Sequence, residues 1–143
     1  MNETNILVVD DEKEIADLLE LYLISDGFCV KKAYDAEDGL RIMKNEPIDL
    51  VLLDIMMPKI DGIEMCRRIR ETNNVPIIMV SAKTQELDKI VGLTTGADDY
   101  VTKPFNPLEL MARVKSQLRR YRELNPAQEK KEESSMIVLR NMR

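Results

Sequence analysis

Asp10-Asp11-Glu12 closes one short apolar run, Asp54 closes a second, Ser81 a third, and Lys103 lies just beyond a fourth. In open parallel α/β sheets ligands bind past the carboxyl ends of the strands, so the side chains at these run-ends are the first to inspect. Clustered carboxylates raise one another's pKa unless a counter-charge joins them. A hard divalent cation supplies it, since Mg²⁺ takes one or two carboxylates together with waters and phosphate oxygens. Asp11 and Asp54 are the candidate direct ligands, with Asp10 acting through water. Once its charge is shielded, an Asp54 oxygen can attack phosphorus and form an aspartyl phosphate, a carboxylate form of nucleophilic catalysis. Lys103 can then pair with one phosphoryl oxygen and Ser81 can hydrogen-bond another.

Each residue alone has a plainer reading. An Asp after a strand is commonly a helix N-cap, Ser81 can cap the helix that follows, and a lone Lys is usually solvated. The joint occurrence of the set in chain order, each member past a separate strand, is what points to one site. Two other classes of function fit parts of the pattern. A haloacid-dehalogenase-like Mg²⁺ phosphatase also uses an Asp nucleophile, a Ser or Thr and a Lys, but places the nucleophile after its first strand in a DxD pattern, whereas Asp10 is followed by Asp11 and Glu12. A dimerisation module with a vestigial acidic site is the third reading. The chain contains no His, which removes His-based acid/base chemistry, His metal ligands and a phosphohistidine of its own.

Four separate run-ends can converge only if the runs lie side by side. Asn5 to Val9, Val30 to Tyr34, Asp49 to Leu53, Pro76 to Val80 and Asp99 to Val101 read as five strands. Leu50 to Leu53 is apolar without alternation, as expected of a strand covered on both faces. Helical periodicity falls between the strands, at Glu14 to Asp26, Ala36 to Asn45, Gly62 to Thr72, Leu87 to Thr95 and Pro107 to Glu123. Gly27 is the expected C-cap of the first helix, Asp35 the N-cap of the second, and Pro107 the opening residue of the last. In that last helix Leu108, Met111, Ala112, Lys115 and Leu118 form the expected apolar stripe. Alternating βα units predict an α/β fold, a doubly wound five-stranded parallel sheet.

The 143 residues suit one domain with a tail. A hydrophobic content of 44% and a charged content of 33% are those of a globular chain. The net charge of −5 argues against nucleic-acid binding by the chain as a whole, which needs a basic face. Cys29 and Cys66 lack metal-site spacing and read as packing residues. The N-terminus MNETNILVVDDE has no basic-then-apolar leader, and no window is apolar enough to span a bilayer, so a cytoplasmic location is expected.

Asp10-Asp11, the DIMMP run from Asp54 to Pro58, Asp61-Gly62, Ser81-Ala82 and Lys103-Pro104-Phe105 together resemble the receiver domain of bacterial response regulators, over about residues 5 to 122. The resemblance implies the flavodoxin-like, CheY-like (βα)₅ fold with strand order 2-1-3-4-5. It implies Asp54 as phosphoacceptor, Asp10 and Asp11 as the acidic pocket, and the Met56 backbone carbonyl as a further ligand of Mg²⁺ or Mn²⁺. Ser81 and Tyr100 would be the switch pair, and the Lys103-Pro104 bond would be cis. The phosphoryl donor would be a sensor histidine kinase, and the chain a self-phosphorylating switch rather than an enzyme with turnover.

The stretch GADDYVTKPFNPLELMARV resembles more narrowly the OmpR/PhoB subfamily of winged-helix transcription factors. That resemblance implies a phosphorylation-dependent homodimer, with Lys89 and Glu109, and Asp99 and Arg113, paired across a two-fold interface. The runs DEKEIADLLELYL and IVGLTTGADDYVTKPFNPLELMARVKSQLRRY are similar to regulators of vancomycin resistance. On this reading residues 1–122 are the receiver and residues 123–135 a charged linker. Residues 136–143 (MIVLRNMR) resemble only the first strand of the subfamily's DNA-binding domain, through which any DNA contact would run.

Overall fold

A computed structural model of the chain describes residues 3–82, 90, 91 and 93–124. Five strands, β1 (Asn5–Val9), β2 (Cys29–Ala33), β3 (Leu50–Leu53), β4 (Ile77–Ser81) and β5 (Asp99–Thr102), form one parallel sheet in the order β2-β1-β3-β4-β5. The order is the one the resemblance implied. Strand limits move by one residue where local bonding overrides the apolar pattern. Asp49 stays outside β3 because its backbone N–H and its carboxylate both bond to Asn5.

The helices whose bounds fall among the described residues are α1 (Lys13–Ser25), α2 (Ala36–Asn45), α3 (Gly62–Arg70) and α4 (Pro107–Leu124). Gly27 takes φ +89, a left-handed conformation that glycine adopts without strain, and so ends α1 as expected. Asp35 and Asp61 cap α2 and α3 by accepting hydrogen bonds from the Asp38 and Glu64 N–H groups, at 2.8 and 2.9 Å. α4 runs one residue beyond the predicted end, to Leu124. Of the predicted helix Leu87 to Thr95, residues 87–89 and 92 lie outside the described residues, and Ile90, Val91, Leu93 and Thr94 are helical. Residues 125–143, which include most of the predicted linker and all of the strand-like MIVL segment, also lie outside them.

The continuous apolar runs split between two cores. Leu7, Val9, Val51, Leu53, Ile77 and Met79 pack with Met65, Cys66 and Ile69 of α3. Their neighbours Ile6, Val8, Leu50, Leu52, Ile78 and Val80 pack with α1 and α4. Strand geometry sends successive side chains to opposite faces, so a sheet covered twice needs apolar residues at every position.

The stripe expected on α4 is corrected. Leu108 is 83% exposed and Ala112 is also exposed, while Leu110, Met111, Val114, Gln117 and Leu118 face the core. Two apolar sets share the helical period in this segment, and packing of α4 against α1 and the sheet selects the one containing Leu110 and Val114. Cys66 is buried as expected, with burial pushing its thiol pKa up to about 11, whereas Cys29 is only half-buried.

Candidate functional site

Parallel register converts sequence position into proximity at the sheet edge. Val9 lies beside Leu53, and the ladder continues one step further as the Asp54 N–H donates to the Val9 carbonyl at 3.0 Å. Asp10 and Asp54 therefore leave the sheet side by side. On the other flank Ser81 lies beside Thr102, and the Lys103 N–H donates to the Ser81 carbonyl at 2.8 Å. The Lys103-Pro104 peptide bond is cis.

The carboxylate oxygens of Asp10, Asp11 and Asp54 lie within 4.8 Å of one another. Lys103 Nζ is 2.9 Å from Asp10 Oδ2, 3.2 Å from Glu12 Oε1 and 3.6 Å from Asp54 Oδ2. Asp10 and Asp54 are buried, at 1% and 4% exposure, while Asp11 faces solvent. One ammonium thus serves a rim of acids that outnumbers it, two of them shielded from water.

The electrostatics follow from that imbalance. Burial, followed by the charge of Asp10, pushes the Asp54 carboxyl up from 3.8 to about 6, against the opposing pull of Lys103 and the Met56 N–H. Burial also raises Asp10, although its bonds to Lys103 and the Glu12 N–H work the other way. For Lys103 burial acts against the charge, but the hydrogen bond to Asp10 and the charges of Asp54 and Asp10 outweigh it and leave the ammonium firmly protonated. A cation among these oxygens would offset the excess negative charge, so the donor set fits a hard divalent ion.

The remaining predicted residues fall as follows. Ser81 is fully buried at the end of β4. Tyr100 lies beside Met79 in register and is already part of the core on the α2 and α3 side, at 9% exposure. The Met56 side chain is exposed, and its N–H donates to Asp54 Oδ1 at 3.3 Å. Arg113 gathers both expected acids within one chain, Asp99 at 2.7 Å and Glu109 at 3.1 Å. Lys89 lies outside the described residues.

Two residues carry more than the sequence reading gave them. Glu12, in the sequence only the third acid of an unbroken run at a strand end, reaches Lys103. Gly62, a helix start and part of the Asp61-Gly62 motif in the sequence, lies against the backbone of Asp54 and Ile55. A glycine opening a helix two residues after the Pro58-Lys59-Ile60 turn was the available sign of a close approach.

The family described as the response regulator receiver domain matches residues 6–115. The regulatory protein VanRc of Enterococcus gallinarum is 51% identical over 138 residues, covering 93% of this chain and 60% of that protein. The regulatory protein VanR of Enterococcus faecium is 54% identical over 127 residues, covering 89% of this chain and 55% of that protein. The chain therefore spans little more than half the length of these curated relatives. Among solved structures, the beryllofluoride-activated N-terminal receiver domain of Klebsiella pneumoniae RstA superposes with a TM-score of 0.78 at 33% identity, covering 81% of this chain and 99% of that one. Among the described residues no helix is long and apolar enough to cross a membrane.

Proposed function

The chain belongs to the response regulator receiver family of two-component systems, and from that premise we propose that Asp54 accepts a phosphoryl group from a sensor histidine kinase. The observation that carries this reading is the approach of Lys103 Nζ to both Asp10 and Asp54, inside a cluster of three carboxylates within 4.8 Å. Mg²⁺ held by Asp11, Asp54 and the Met56 carbonyl, with Asp10 in its outer sphere, would supply the charge neutralisation that lets an anionic donor approach.

The chain's own residues do the rest. An Asp54 oxygen forms a bond to phosphorus while the bond from phosphorus to the donor's leaving group breaks, and that group departs with the bonding electron pair and is protonated. Lys103 donates to one phosphoryl oxygen and Ser81 to another. The added dianionic group then biases a two-state equilibrium in which Ser81 shifts toward the phosphoryl group and Tyr100, expected to turn inward but already buried, is held there. Moving such an equilibrium from mostly inactive to mostly active takes a difference of roughly 10⁴-fold in affinity between states. The chain acts as a switch rather than an enzyme with turnover.

Dimerisation through the face carrying Glu109, Asp99 and Arg113, together with Lys89, follows as a second part of the proposal. Arg113 would exchange the Asp99 of its own chain for that of a second copy, and Glu109 would pair with Lys89 across the two-fold, as a self-complementary interface requires. DNA contact is assigned to a winged-helix domain outside these residues, and likeness to the VanR proteins points to vancomycin resistance as the controlled response.

Intact mass after treatment with acetyl phosphate and Mg²⁺ tests the assignment. One phosphoryl group per chain is expected, and none in Asp54→Ala; persistent labelling of that variant at another residue would remove Asp54 from the role. Size measurement with and without beryllofluoride tests the dimer, which is expected to increase with it.

A further inference from the structure

Resting on Asp54 as the acceptor, we propose that Glu12 is a positioning residue that holds Lys103 short of Asp54 until a phosphoryl group displaces it. Glu12 occupies the N-cap of α1 with extended backbone, φ −88° and ψ 106°, a place where a side-chain acceptor normally satisfies the first helical N–H groups. Its side chain makes no cap bond. The carboxylate reaches instead to Lys103, while the Glu12 N–H donates to Asp10 Oδ1 at 2.9 Å. Glu12 thus grips both members of the Asp10–Lys103 pair.

The Lys103 ammonium has three donors. One is committed to Asp10 at 2.9 Å and one to Glu12 at 3.2 Å, and Asp54 at 3.6 Å lies beyond ordinary hydrogen-bonding distance. The third donor is free, but bringing it into line with a phosphoryl oxygen on Asp54 moves the ammonium toward Asp54, and that movement lengthens one of the two existing bonds. Releasing Asp10 would take a hydrogen bond from a carboxylate buried at 1% exposure, where solvent does not readily replace it, which is costly even with a metal ion nearby. The Glu12 side chain is 62% exposed, and water replaces Lys103 there at once. The Glu12 bond is therefore the one exchanged, and Glu12 competes with the phosphoryl group for Lys103.

Two substitutions separate this competition from simple charge repulsion. Glu12→Gln removes the charge and weakens the bond. Glu12→Asp keeps the charge but shortens the side chain, which can then cap α1 in the ordinary way and let Lys103 go. Beryllofluoride affinity, measured by titration at saturating Mg²⁺, should tighten roughly 2- to 5-fold in both, the range set by the small worth of an exposed ion pair. Thermal stability should split them, with the Asp variant gaining a cap and the Gln variant gaining none, so a merely structural effect could not move both affinities together. Tightening in Glu12→Gln alone, or in neither variant, overturns the proposal. Failure of the unsubstituted protein to bind beryllofluoride would instead overturn the assignment of Asp54 on which it rests.

Discussion

Gly62 lies so close to Asp54 that a Cβ at this position would collide with the Asp54 carbonyl oxygen. The Gly62 N–H donates to the Ile55 carbonyl at 2.9 Å, and the first turn of α3 abuts the segment carrying Asp54. Helix propensity alone favours Ala over Gly by about 0.5–1 kcal/mol. The clash is with backbone, which yields less readily than a side chain, and overpacking of this kind costs about 1–3 kcal/mol. Gly62→Ala is therefore expected to destabilise on balance and to slow labelling of Asp54. Urea denaturation and acetyl phosphate labelling check both; a stabilised, normally labelled variant would contradict the close approach.

Asp54 gives a pH dependence with a definite sign. Its folded-state pKa of about 6 stands above the ordinary 3.8, so the folded state holds the proton more tightly. The stability this provides is fully present below about pH 4 and is lost as pH rises through 6. Without metal at pH 7, Asp54→Asn should therefore raise stability by ~1–3 kcal/mol, and the gain should fade between pH 6 and 4. Chemical denaturation across that range decides it, and a variant less stable than the original at pH 7 would sink the electrostatic account.

Divalent metal should reverse that preference. Binding to the folded state alone stabilises by roughly 2.7 kcal/mol at one hundred times the dissociation constant. Thermal unfolding in Mg²⁺ and in chelator should differ for the original protein, with a smaller difference for Asp11→Asn and Asp54→Asn. A melting temperature indifferent to Mg²⁺ would speak against the acidic cluster as a metal site.

Arg70 ties the end of α3 to the segment preceding β5. It donates to the Gly96 carbonyl at 2.9 Å, the Asn73 carbonyl at 3.2 Å and Asp98 Oδ2 at 2.7 Å, and Asp98 Oδ2 also accepts from the Ile77 N–H at 2.9 Å. Charged hydrogen bonds that are partly solvated contribute modestly, so Arg70→Ala should cost about 1–2 kcal/mol. Hydrogen exchange should quicken at the Ile77 amide while the amides of β1 keep their protection. Uniform change across the sheet would mean that the contact is not local.

The sequence alone determined the five strands and the residues at their ends, and it singled out Asp54 for the role proposed here, because apolar runs, caps and the DIMMP and KPF motifs are local signals along the chain. Tertiary structure decided how those ends meet. Lys103 is 93 residues from Asp10, and its closer approach to Asp10 and Glu12 than to Asp54 follows from where strand register leaves these side chains, which no local pattern encodes. The buried face of α4 was decided the same way, since Leu108 and Leu110 are equally apolar and only contact with α1 and the sheet distinguishes them.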